Sequence, residues 1–152
     1  MRKILVVAVV LPFLSAASAV TARDVQGYWM TDDGMMLVEI APCTKGHETL
    51  CGFIRALPGA AKDVELRQYA NALCGLPMLS NLSRDEHKNR WDGGQIFDPE
   101  SERFYDAYIK IKKNTLAVRA YISAEAFGET MFWTPSTASN VGCASIKEQA
   151  HE

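Results

Sequence analysis

Two stretches of strict alternation joined by a two-residue turn constrain this fold more than any other feature. Between Phe104 and Lys112, Tyr105, Ala107, Ile109 and Ile111 share one face, while Asp106, Tyr108, Lys110 and Lys112 share the other. Lys113-Asn114 supplies a tight hairpin turn, and Thr115 to Ile122 then groups Leu116, Val118, Ala120 and Ile122. A side-chain period of two with one apolar face is the pattern of a half-buried β-strand. Shorter runs repeat it upstream. Gly27 to Met30 is closed by Thr31-Asp32-Asp33-Gly34. Met35 to Ala41 follows, with Met36, Val38 and Ile40 on one face, and Leu50 to Leu57 ends at Pro58-Gly59. Leu76 to Leu82 reads as a strand that Pro77 keeps from a central position unless it starts there. Trp91 to Phe97 is a strand interrupted by Asp92-Gly93-Gly94, and Asp98 to Glu102 is a turn. Glu129 to Trp133 is the last strand, stopped by Pro135. Two segments break the pattern: Ala60 to Ala70 carries helix formers that Asn71 to Gly75 can end, and Ser83 to Arg90 is a charged loop or helical turn.

About eight antiparallel strands, mostly joined by short turns, predict an all-β chain: a closed up-and-down barrel with one short helix. A β-sandwich is the alternative, because alternation does not report closure. Eight strands leave an interior that side chains fill or that one small ligand occupies. No repeat, low-complexity tract or interdomain linker divides the chain.

The N-terminus reads as an export signal. Arg2 and Lys3 precede an apolar run from Ile4 to Leu14, and Ala17-Ser18-Ala19 offers a small-residue cleavage site. The run falls well short of the ~20 residues that span a bilayer. Cleavage after Ala19, or alternatively after Ala22, assigns residues 1–19 to the signal, 20–135 to the barrel domain and 136–152 to a C-terminal tail. Loss of Arg2 and Lys3 moves the formal net charge from −2 to about −4. The remaining basic residues are scattered, which argues against a nucleic-acid or anionic-lipid surface. No later segment is long and apolar enough to span a membrane, so a periplasmic or secreted, soluble protein is expected.

Export gives the four cysteines an oxidising setting in which disulfides persist. Four cysteines allow three pairings. Cys43 and Cys51 flank a turn-rich stretch between two apolar runs, where a bridge would staple a hairpin. Cys74 and Cys143 would then tie the middle of the chain to its tail, closing a loop of about 70 residues. The competing metal-site reading lacks a C-x-x-C pair, and His47, His87 and His151 are dispersed. No metal or cofactor is expected.

Catalytic motifs are absent: there is no G-x-S-x-G, H-E-x-x-H or phosphate-cradling glycine loop. Asp92 and Asp98 bracket a Gly-rich strand, but each sits where a turn or bulge favours Asp. Asn81-Leu82-Ser83 fits a glycosylation acceptor by chance in a chain with a bacterial-looking signal. Gly27-Tyr28-Trp29 is better placed: an aromatic on the first strand can plug a barrel's base, and Gly27 lets the backbone approach closely. Arg119 is the single charge in an otherwise apolar strand, placed to stack on an aromatic ring or to meet an anionic ligand. With Trp29, Trp91, Tyr105, Tyr121 and Trp133 it makes up the candidate ligand-binding set. The competing reading puts these side chains in the core or on the sheet surface.

A series of motifs occurs in order: Leu50-Cys51-Gly52-Phe53-Ile54, Gly75-Leu76-Pro77-Met78-Leu79, and Trp91-Asp92-Gly93-Gly94-Gln95-Ile96-Phe97-Asp98-Pro99. Tyr105, Leu116 to Tyr121 and Gly128 to Trp133 complete it. The series, over roughly residues 25–134, resembles the exported bacterial family named domain of unknown function 2147. The resemblance implies a small barrel similar to lipocalins and fatty-acid-binding proteins, with no established activity or ligand. Paired Cys43 and Cys51 fit its pattern, whereas Cys74 and Cys143 look like an addition. Ala120 and Thr134-Pro135 depart from the Gly and the basic residue common there, so no basic site at the C-terminal end carries over; the family has no characterised chemistry, so no catalytic residue does either. The first expectation is a non-enzymatic module for a small apolar or amphipathic ligand. The second is a filled barrel whose surface engages an envelope protein. An enzyme comes third.

Overall fold

A small open sheet has two edge strands, each presenting a row of unpaired backbone groups, and closing the sheet removes both free edges at once. The chain does this with eight strands in sequence order: β1 (Gly27–Met30), β2 (Leu37–Pro42), β3 (Leu50–Ala56), β4 (Pro77–Asp85), β5 (Arg90–Asp98), β6 (Arg103–Lys112), β7 (Thr115–Tyr121) and β8 (Glu129–Ser136). The computed structural model describes residues 25–58, 70, 72–137 and 142–143. Every strand pairs antiparallel with its neighbours, and β1 closes the barrel on β8 through Tyr28 opposite Ser136 and Met30 opposite Thr134. The signal segment lies outside the described residues, as do residues 60–69 of the expected helix, residue 71 and most of the tail. One helical turn remains at its end, where the Cys74 amide donates to the Ala70 carbonyl at 2.9 Å.

The expected hairpin is present as β6–β7, with Ala107, Ile109, Leu116 and Val118 buried inside. Several strand boundaries differ from expectation, four of them for a clear physical reason. Ile122 is not part of β7; it lies past the last strand pair and is 60% exposed. Ser83 to Asp85 extends β4 rather than forming a loop, because it pairs with Arg90 to Asp92 of β5. β2 begins at Leu37, since Met35 and Met36 belong to the turn that Thr31 ties together. Pro135 does not stop β8: pairing with β7 ends at Trp133, so Pro135 faces β1 alone and its missing N–H costs no second ladder.

The Gly93-Gly94 pair shows why β5 interrupts its own alternation. Gly93 adopts φ +71°, and the β5–β6 register shifts between Trp91 and Gly94. This bulge changes which parity faces inward. Trp91 points inside beside Ile109; beyond the bulge Gly94 and Ile96 do, while Gln95 is exposed. Gly94 then lies so close to β4 that a Cβ there would stand 2.4 Å from the Ser80 carbonyl oxygen. Gly27 plays a different part from the one expected: nothing crowds it, and its φ of +132° is the reason for glycine.

Both disulfides form as expected, Cys43–Cys51 across the β2–β3 hairpin and Cys74–Cys143 between the β3–β4 connection and the chain beyond β8. Cys143 Sγ lies 3.7 Å from the Ile54 carbonyl oxygen, so the second bridge sets Cys143 against β3.

Candidate ligand-binding site

The two ends of the barrel differ chiefly in one long connection, 57–76, which makes its end the long-loop end. One end carries the hairpin closed by Cys43–Cys51, the short turn 86–89 and the two-residue turn at Lys113-Asn114. The other carries four connections: 31–36, 57–76, 99–102 and 122–128. Register assigns the aromatic residues to levels along the axis. Trp91 pairs with Ile109 and Trp133 with Leu116, close to the Lys113-Asn114 turn, and Trp29 sits beside Val38. All three tryptophans are buried in the packed half of the interior. The Trp29 indole donates to the Val25 carbonyl at 2.9 Å, while the Trp91 and Trp133 indole N–H groups find no partner among the described residues.

Above this packed half the interior opens into a cavity of about 760 Å³. Its walls are Met36, Leu73, Met78, Ile96, Tyr105 and Met131, all apolar or aromatic, and its rim is built by the loops of the long-loop end. Of the six side chains expected at a ligand site, Tyr105 and Tyr121 border this cavity and the three tryptophans lie beneath it. The phenol oxygen of Tyr105 is 3.4 Å from Ser101 Oγ, which in turn donates to Asp98 at 2.6 Å. Among the described residues no group of three His, Cys, Asp or Glu is placed to hold a metal. His47 and His87 are exposed in loops of the opposite end; His151 lies outside the described residues.

Arg119 faces outward, and its work is structural. Its Nε and Nη2 donate to the Glu125 carbonyl at 3.1 and 2.6 Å, and Nη1 donates to Thr130 Oγ1 at 2.9 Å. This holds the short 3-10 turn Glu125–Phe127 against the outer wall. A second arginine completes the fastening. Arg90 is nearly buried, stacks 3.8 Å above the Tyr108 ring, and donates to both carboxylate oxygens of Glu125 and to Asp92. Phe127, at the free side of this turn, is 88% exposed and borders the cavity mouth. Sequence reading missed the Arg90–Glu125 pair because its members are 35 positions apart with no local signal. Asp92 is thereby an ion-pair partner and Asp98 the acceptor that caps the β5–β6 turn.

Titration of the fastening has a defined sign. The Arg90 hydrogen bond holds the Glu125 carboxyl below the ordinary glutamate range, against a smaller opposing effect of burial. A carboxylate with a depressed folded-state pKa contributes stability above its unfolded pKa and loses it as pH falls through the folded value. The turn at 125–127 is therefore expected to stay seated near neutrality and to loosen in acid below the ordinary glutamate range. NMR signals of Phe127 followed through an acid titration check this. Glu125→Gln should remove the transition, and unchanged Phe127 signals throughout would refute the role given to Arg90.

An up-and-down eight-stranded barrel with a packed base and an apolar cavity at its long-loop end is a lipocalin-like barrel. Residues 27–135 match the family described as "Uncharacterized protein conserved in bacteria (DUF2147)", and the chain belongs to that family. No curated protein matches. Among solved structures it is similar to protein HP1028 from the human pathogen Helicobacter pylori, described as belonging to the lipocalin family. The TM-score is 0.53 at 15% identity, covering 82% of this chain and 88% of that one. At that identity the likeness bears on the fold.

Proposed function

We propose that this protein is an exported, non-enzymatic binding module that holds a small apolar or amphipathic ligand at the long-loop end of its barrel. The observation that carries the reading is the cavity itself: about 760 Å³, within the ~300–1,000 Å³ of small-molecule sites, and walled by apolar side chains. Export is supported by the signal-like N-terminus and by two disulfides, which suit an oxidising compartment. Among the described residues no helix is long and apolar enough to cross a membrane.

Protein purified from its native envelope is expected to release one apolar or amphipathic species, in near-stoichiometric amount, on solvent extraction and mass spectrometry. Repeatedly empty preparations that also fail to bind an apolar fluorescent probe would end this reading. Ala120→Trp, which places an indole on the cavity wall, should weaken probe binding by about tenfold, the equivalent of two displaced methylenes at ~0.8 kcal/mol each. Phe132→Ser, on the outer wall, should leave it unchanged. A surface that engages another envelope protein is the second reading. It is favoured by Met35, Leu76, Ile122 and Phe127, apolar side chains exposed at the long-loop end.

A further inference from the structure

The cavity is apolar at its walls and acidic at its mouth. Asp33 and Glu100 line it from the 31–36 and 99–102 connections, and Asp98 and Glu129 from the adjoining ends of β5 and β8; among the described lining residues there is no Lys, Arg or His. Two of these carboxylates are fixed by their turns. Asp33 Oδ1 accepts from Thr31 Oγ1 at 2.6 Å and from the Met35 amide at 2.9 Å. Asp98 accepts from Ser101 Oγ and from the Glu100 amide, bonds that hold its carboxyl below the usual range.

The other two side chains, Glu100 and Glu129, make no hydrogen bond or ion pair among the described residues. Glu129 pairs with Ala120 and shares the inward parity of Met131, so it stands at the top of the inner wall. Three of the described basic residues are committed elsewhere. Arg90 and Arg119 fasten the 125–127 turn on the outer wall, and Lys88 contacts Asp85, Asp92 and Glu125. Arg103 lies opposite Asp98 in the ladder but is exposed and forms no ion pair with it.

An amphiphile that buries its tail in such a cavity leaves its head group among these carboxylates. A positive head is attracted there, and a carboxylate head is repelled as it is brought up from water. We propose that the cavity selects amphiphiles with a cationic head, an ammonium or guanidinium on an apolar tail, over acids and alcohols of the same length. This inference rests on the ligand-binding reading above and sharpens it.

The test compares one tail with three heads. Decyltrimethylammonium, decanol and decanoate are each titrated into the full-length mature protein carrying N-phenylnaphthylamine, at low ionic strength. The ammonium is expected to displace the probe at about tenfold lower concentration than decanol, with decanoate weakest. High salt should erase most of that preference, because the mouth is open to solvent. Glu100→Gln combined with Glu129→Gln should bring the ammonium close to decanol while leaving decanol unchanged. Equal displacement by all three, or tightest binding of decanoate, overturns head-group selection and leaves the binding module standing. Failure of all three to displace or bind overturns the binding module as well.

Discussion

Replacing Gly94 with alanine is expected to cost the barrel its stability at a single methyl group. The added Cβ would lie 2.4 Å from the Ser80 carbonyl oxygen and 2.7 and 2.8 Å from carbons of Leu82. Overpacking that side chains can absorb costs ~1–3 kcal/mol, but here the obstacle is backbone of a paired strand. The expected loss is at or above the upper end of that range, against a total stability of ~5–15 kcal/mol for a domain. Thermal melting by circular dichroism should show a drop on the order of 10 °C or more, or no folded protein. Gly93→Ala is the informative comparison. Its site is uncrowded but has φ +71°, so only the left-handed backbone penalises it, at ~1–2 kcal/mol. If Gly94→Ala melts within a few degrees of the parent, the close approach of β4 and β5 described above is wrong.

Removal of the Cys74–Cys143 bridge should produce the other large effect. The bridge spans 69 positions against 8 for Cys43–Cys51. In the chain-entropy account the longer loop contributes ~4 kcal/mol and the shorter ~2.5 kcal/mol. The double substitution Cys74→Ser with Cys143→Ser is therefore expected to lower the urea midpoint more than the same change at Cys43 and Cys51. The reverse order, or no shift, would show that the bridge does not restrain the unfolded chain in this way.

The β6–β7 hairpin was readable as far as Tyr121 because one face is dry, the other wet and the turn short. Closure was a good inference from strand number, yet nothing in the alternation places Tyr28 opposite Ser136. β4 and β8 were cut short for local reasons. Ser83 to Asp85 carries no apolar residue, and Pro135 reads as a breaker until its missing neighbour is known. The cavity was harder. Aromatic content drew attention to Trp29, Trp91 and Trp133, but alternation reports which face a side chain takes and not its height along the axis. Height follows register, which local alternation does not carry: Trp29 lies next to the 31–36 connection in sequence, yet it stands opposite Pro135, beyond Trp133 on β8. Asp33, Asp98 and Glu100 were visible only as turn residues and Glu129 only as the start of a strand, because turn chemistry and cavity lining use the same positions.

The seam between β1 and β8 has a consequence for how much of this chain is needed at once. It joins residues 28–30 to residues 134–136, so nearly the full domain must be present before the ring can shut. Until then β1 and the last strand to arrive both offer bare edges, each able to recruit a strand from another copy. A chain lacking its last strand is thus a molecule with two adhesive sides rather than a slightly weaker barrel. The protein is either whole and self-contained, or unfinished and open to its neighbours.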